Sequence, residues 1–167
     1  SDVYKRQGIS NVAPLAQLPV LRSLYLEDNQ VQSYTTLAAI PTLRTLDLAR
    51  NGLTEITAFS QFPQVDHVYL AGNSITDASP LQALTGLRQL DLSSNGFTNF
   101  ASLPALTGDN RLLLLGNNGI TNLNPLITRM SSMTQVHVEL GRNPLPQAAF
   151  CTQIPALQGL GHYAYFD

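Results

Sequence analysis

The sequence predicts an α/β solenoid with a parallel β-sheet on one face and short 3₁₀ or extended turns on the other. Three observations carry this expectation. Asparagine recurs at Asn29, Asn51, Asn73, Asn95, Asn118 and Asn143, at spacings of 22, 22, 22, 23 and 25 residues. The frame L-x-x-L-x-L-x-x-N-x-L surrounds the first four in LRSLYLEDNQV, LRTLDLARNGL, VDHVYLAGNSI and LRQLDLSSNGF, with looser copies in NRLLLLGNNGI and QVHVELGRNPL. Apolar residues then return at positions 11, 14, 17 and 20 of a repeat, as in Leu53, Ile56, Phe59 and Phe62. Self-similarity at a period of about 20–30 residues means a stacked array.

Within each repeat the x-L-x-L-x core alternates with period two, which suits a short strand with one face buried. The second half lacks a sustained 3.6-residue period, so short 3₁₀ or extended turns are expected opposite the strands. Such a repeat cannot bury its apolar face alone and relies on its neighbours, and the ends of the array need caps. The tail from 146 to 167 is assigned that role, with a short helix around residues 147–158.

The array spans 8–145, a first repeat cut through its middle followed by about six more. Counting back from Leu21 places Ile9, Val12, Leu15 and Leu18 at the apolar positions of an upstream repeat, with Pro14 in register with Pro80 and Pro125. Gln7 stands at the asparagine position, and SDVYKRQ shows no repeat character. Residues 1–7 read as the translation of a sequencing adapter, a non-native scar; the alternative is a natural polar tail. The scar reading makes the chain part of a longer protein, and it leaves Ile9, Val12, Leu15 and Leu18 partly uncovered.

Composition sets outer bounds. At 44% hydrophobic and 12% charged, the 167 residues suit one folded unit, and no apolar run approaches the roughly 18 residues of a membrane helix. Excluding residues 1–7 leaves seven arginines and no lysine against ten acidic residues, a net charge of about −3, so nucleic acid is not an expected partner. Cys151 is the only cysteine; it reads as a buried apolar thiol or as one half of a pair whose partner lies elsewhere.

The asparagines at position nine follow the strand at a turn, where backbone groups would otherwise be unpaired and an amide satisfies both donors and acceptors. They read as a structural ladder. Gly52, Gly96 and Gly119, each directly after an asparagine, read as turn residues. Recognition belongs on the outward strand side chains, which parallel strands about 4.8 Å apart stack into columns. Position five gives Tyr25, Asp47, Tyr69, Asp91, Leu114 and Glu139; position three gives Ser23, Thr45, His67, Gln89, Leu112 and His137. The candidate contacts for a protein ligand are Tyr25, Asp47, His67, Tyr69, Asp91, Leu112, Leu114, His137 and Glu139, with Tyr25 and Tyr69 first because tyrosine couples contact area to hydrogen bonding. Leu112 and Leu114 make an apolar hot spot, unless the 23-residue repeat slips register. Position two supplies Arg22, Arg44, Arg88 and Arg111, either a solvated ridge whose heads pair with acids such as Asp47 or Asp91, or a partner contact.

For chemistry the chain offers little. No histidine cluster of metal-ligand spacing occurs, and no cofactor motif. His67 is positioned to approach Asp47 or Asp91, but neither a nucleophile motif, a phosphate-cradling loop nor a paired-carboxylate cleft accompanies it. The expectation is a non-enzyme.

The LxxLxLxxN frame at 22-residue spacing resembles the leucine-rich repeat family, in its short-repeat class shared by bacterial internalin-like proteins and a eukaryotic phosphatase regulator. ITDASPLQALTGL and GITNLNPL, each with a proline-leucine step after the turn, look closer to the bacterial group, as does the tail NPLPQAAFCTQIPALQGLGHYAYFD. The resemblance covers Gly8 to about Leu145. It implies a right-handed arc whose concave sheet binds a protein, in a bacterial protein that is secreted or surface-exposed. An intracellular scaffold that regulates an enzyme, and an array presenting a separate catalytic domain, are the alternatives. Asn110 and Gln135 depart from the family pattern, standing where a leading leucine belongs, which bears on the geometry of the last two repeats.

Overall fold

The computed structural model describes residues 2–166, so Ser1 of the adapter-like segment and Asp167 of the capping segment lie outside the described residues. The chain forms a right-handed arc with one sheet of eight parallel strands, ordered as in the sequence: β1 (Asp2–Val3), β2 (Ser23–Tyr25), β3 (Thr45–Asp47), β4 (His67–Tyr69), β5 (Gln89–Asp91), β6 (Leu112–Leu114), β7 (His137–Glu139) and β8 (Tyr163–Tyr165). β2 to β7 fall on the alternating core of each repeat. Their central residues Leu24, Leu46, Val68, Leu90, Leu113 and Val138 are buried, while the flanking residues face outward. Gln89 pairs with Leu112 and Asp91 with Leu114, so the 23-residue repeat keeps register and both leucines lie on the outer face.

Opposite the sheet the repeats turn through 3₁₀ helices at Ala13–Gln17, Thr35–Ala39, Thr57–Gln61, Ser79–Ala83 and Phe100–Ser102. Apolar residues spaced by three match the three residues per turn of that helix, so Ile56, Phe59 and Phe62 all point into the core and are at most 1% exposed. The sixth repeat differs. Its 25-residue length admits an α-helix, α1 (Asn124–Met130), in place of the expected short turn. Leu123, Leu126, Ile127 and Met130 follow the i, i+3, i+4, i+7 spacing of an α-helical face, a local signal inside a repeat otherwise free of it. Pro14, Pro80 and Pro125 all sit in a first turn, where their missing N–H costs nothing.

Each repeat turns after its strand through a left-handed residue at position eight: Asp28, Arg50, Gly72, Ser94, Asn117 and Arg142 have φ between 52° and 67°. The asparagine that follows locks this turn. Asn73 Oδ1 accepts from the backbone N–H of Asn51 (3.1 Å) and Leu53 (2.9 Å), and its Nδ2 donates to the carbonyls of Leu48 (3.0 Å) and Leu70 (2.8 Å). The same pattern runs through Asn29, Asn51, Asn95, Asn118 and Asn143, so every rung ties two repeats together.

The two ends are built differently. At the N-terminus Asp2–Gln7 lies along β2 as an added strand, its Tyr4 and Arg6 amides donating to Tyr25 and Glu27 carbonyls. Ile9, Leu15 and Leu18 are half-buried against the core, whereas Val12 is fully buried. At the C-terminus α2 (Gln147–Gly159) packs Ala149, Ile154 and Leu157 over the last repeat, within one residue of the helix expected there. Gly161, at φ 84°, ends it and turns the chain into β8, a strand the repeat pattern did not foretell. Cys151 is exposed on α2, which corrects the expectation of a buried thiol: the apolar face of this helix is spent on its neighbours at 149, 154 and 157.

Candidate functional site

The outer face of the sheet is where unsatisfied chemistry collects. The column Ser23, Thr45, His67, Gln89, Leu112, His137 gains Tyr163 at its end, and the column Tyr25, Asp47, Tyr69, Asp91, Leu114, Glu139 gains Tyr165. All nine candidate contacts therefore stand on one surface. They are not equally available.

The acids of the second column are partly engaged by the fold. Asp47 Oδ1 accepts from the Ala49 amide (3.0 Å), Asp91 Oδ1 from Ser93 (2.9 Å) and Glu139 Oε1 from Gly141 (2.7 Å), each carboxylate curling back onto the N–H two residues on. Asp47, between Tyr25 and Tyr69 in its column, is only 6% exposed, which corrects its reading as a freely available contact. Burial pushes its pKa up, against the opposing effect of the Ala49 hydrogen bond. Tyr69 is half-buried, donates its hydroxyl to Gln89 Oε1 (2.8 Å), and has its pKa raised by desolvation and then by Tyr25, Asp47 and Asp91.

His67 does not reach Asp47 or Asp91. Its Nδ1 lies 2.5 Å from the carboxylate of the adjacent Asp66, which occupies the arginine register at this strand. Two of the position-two arginines, Arg44 and Arg111, also find other partners than the acids expected. Arg44 donates to the carbonyls of Leu43 (3.3 Å) and Gln64 (3.1 Å), and Arg111 to those of Gly108 (2.7 Å) and Thr134 and to the Thr134 hydroxyl (2.7 Å). These bonds to carbonyls beside the strand starts hold both heads at the rim.

A separate charged network closes the N-terminal rim. Arg50 bonds Asp28 (2.7 and 3.0 Å) and Glu27 (2.6 Å), Arg6 bonds Asp28 (3.0 Å), and Lys5 meets Glu27 (2.6 Å). Arg50, and then Arg6, hold the Asp28 carboxyl well below the usual carboxylate range. Lys5 also stands 5.8 Å from the Tyr25 ring centroid, so the segment read as an adapter scar shades the first candidate tyrosine.

At the opposite end His137 stacks on Tyr163 (centroids 4.6 Å apart, 21° between planes), and the Tyr165 hydroxyl lies 3.2 Å from His137 Nδ1. Tyr163 and Tyr165 are 52% and 51% exposed. Among the described residues no group of three His, Cys, Asp or Glu side chains is placed to hold a metal ion, and no helix is long and apolar enough to cross a membrane.

Residues 41–97 match the family model for the leucine rich repeat. The chain carries a leucine-rich repeat segment within an internalin-like fold. An internalin C2 from Listeria monocytogenes superposes with a TM-score of 0.75 at 24% identity, over 98% of this chain and 69% of that one. An internalin, InlF, of the same species gives 0.69 at 23% identity, over 96% of this chain and 47% of that one. Among curated proteins no sequence matches the chain significantly.

Two exposed aromatics of this leucine-rich repeat face escaped the sequence reading. Tyr163 and Tyr165 lie in a tail with no asparagine frame, yet HYAYF alternates with period two and is rich in aromatics, the mark of a strand. Tyr163 follows His137 by 26 residues, close to the 25 of the preceding interval.

Proposed function

We infer that the outer, concave face of this repeat array is a protein-binding surface, read by Tyr25, His67, Tyr69, Leu112, Leu114 and His137, with Asp47, Asp91 and Glu139 shaping the charge between them. The observation that carries this reading is the eight-strand sheet with its partly exposed aromatic, imidazole and leucine side chains in unbroken columns. Side chains that neither fill the core nor complete a backbone hydrogen bond are there at a cost in solubility, and aromatic anchors are what interfaces use.

The module is not an enzyme on this reading: its outward histidines lean on Asp66 and on Tyr163 rather than on a nucleophile. It acts without a cofactor, as part of a larger bacterial protein that is secreted or displayed at the surface; the likeness to Listeria internalin structures supports that setting.

A photo-crosslinking amino acid placed at Tyr25 or Tyr69 in the full chain, with a control at Thr57 on the opposite side, tests the surface directly. Adducts from the two sheet positions and none from Thr57 are expected when the protein is exposed to candidate surface proteins. Adducts from Thr57 alone overturn the assignment. Once a partner is in hand, the Tyr25→Ala/Tyr69→Ala pair should weaken it by about 2 kcal/mol or more with the circular dichroism spectrum unchanged.

A further inference from the structure

The two departures from the repeat frame meet in one place. In β2 to β5 the leading position is Leu21, Leu43, Val65 and Leu87, all buried. Before β6 and β7 it is Asn110 and Gln135, both exposed and both left-handed, at φ 57° and 51°. Polar amides in a strained conformation replace core leucines twice in succession, at the two repeats whose lengths are irregular.

Between them opens a cleft of about 350 Å³ at the strand-start rim, lined by Asp109, Asn110, Arg111, Gln135, His137 and Tyr163. That volume lies in the range of small-molecule sites, about 300–1,000 Å³. Arg111 is held by Gly108 and Thr134, so its guanidinium is set in place before any ligand arrives. The stacked pair of His137 and Tyr163 forms a wall, braced by the Tyr165 hydroxyl.

We propose that this cleft binds a neutral carbohydrate unit. One carboxylate and one guanidinium balance the lining, which disfavours a strongly charged ligand. The two amides both donate and accept hydrogen bonds, as sugar hydroxyls do. The aromatic wall offers an apolar surface to the C–H face of a pyranose. Extended peptides are a poorer match here. β6 and β7 lie inside the sheet, their backbone groups paired to neighbours on both sides, and the one free edge at this end is the side of β8 turned away from β7, whereas the cleft lining runs from the start of β6 across β7 to Tyr163.

The site is independent of the Tyr25–Tyr69 region. The experiment is a glycan array of neutral hexose- and N-acetylhexosamine-terminated oligosaccharides, with sialylated and sulfated ones alongside, followed by titration calorimetry of the full chain with the best-retained neutral glycan. Retention of neutral glycans is expected. Asn110→Gly and Gln135→Gly should each weaken binding about ten-fold; glycine accepts the left-handed backbone, so each removes an amide without disturbing the turn. Tyr163→Ala should weaken it by more, and Tyr25→Ala/Tyr69→Ala should leave it unchanged. No retained glycan at millimolar concentration, retention of sulfated or sialylated glycans alone, or full affinity in both glycine variants overturns the proposal. So does loss of a protein partner in those variants when no glycan binds.

Discussion

Asn73 shows how one side chain governs two repeats. It is 8% exposed and completes four backbone hydrogen bonds, three of them across the repeat boundary. Replacement by alanine strands buried N–H and C=O groups, each costing about 1–3 kcal/mol. Asn73→Ala should therefore lower the stability measured by urea unfolding by about 3 kcal/mol or more. Tyr34 presents the opposite case. Its ring packs 5.4 Å from Phe59 and 6.1 Å from Phe62, but its buried hydroxyl has no protein partner among the described residues, and desolvation pushes its pKa far up. Tyr34→Phe keeps the ring and removes the orphan, so it should be neutral or stabilising by up to about 1 kcal/mol; a loss of more than that points to a hydrogen bond at the hydroxyl. The asparagines were legible because their spacing is the repeat itself. The covered state of Asp47 was not, because burial on the outer face depends on the bulk of its neighbours in other repeats.

The seating of the last strand depends on one imidazole. His162, 3% exposed, accepts from the Val136 amide at Nδ1 (3.2 Å) and donates to the Met130 carbonyl through Nε2 (3.1 Å), so it joins β7, α1 and β8 as a neutral ring. Burial lowers its pKa below the ordinary 6.5. The unfolded chain therefore takes up a proton at a pH where the folded chain does not, and stability present above about pH 6.5 is lost as the pH falls toward the depressed native value. Amide hydrogen exchange in β8, corrected for intrinsic rates, should quicken between about pH 7 and about pH 5, and His162→Gln, which can still donate and accept, should flatten that dependence. An unchanged profile in wild type would show that the ring carries no such load. The charged rim at the other end is of lesser weight: Arg50 is exposed, and Arg50→Ala should cost under about 1 kcal/mol by the same urea assay.

Coupling between neighbours makes the array behave as a unit. A cavity at Leu90, 1% exposed in the middle strand, should cost about 2–5 kcal/mol and shift a single unfolding transition rather than split it, since every repeat lends its burial to the next. At the N-terminal end Val20 is 80% exposed and Ile9, Leu15 and Leu18 are half-buried, so this end should adhere to other copies. Fusing a polar capping repeat there should reduce self-association on light scattering. No change would mean that the segment Asp2–Gln7 already covers the edge adequately.

The period of the leucines and asparagines by itself determined the solenoid, the strand positions and the two outward columns, because those features follow from local alternation and a fixed repeat length. The helix at 124–130 and the eighth strand carry local signals outside the repeat frame, whereas the carbonyl partners of the arginines and the cleft between Asn110 and Gln135 were decided only by tertiary structure. These last two arise where side chains from different repeats meet, and contacts across 20 or more residues leave no periodic trace in the chain.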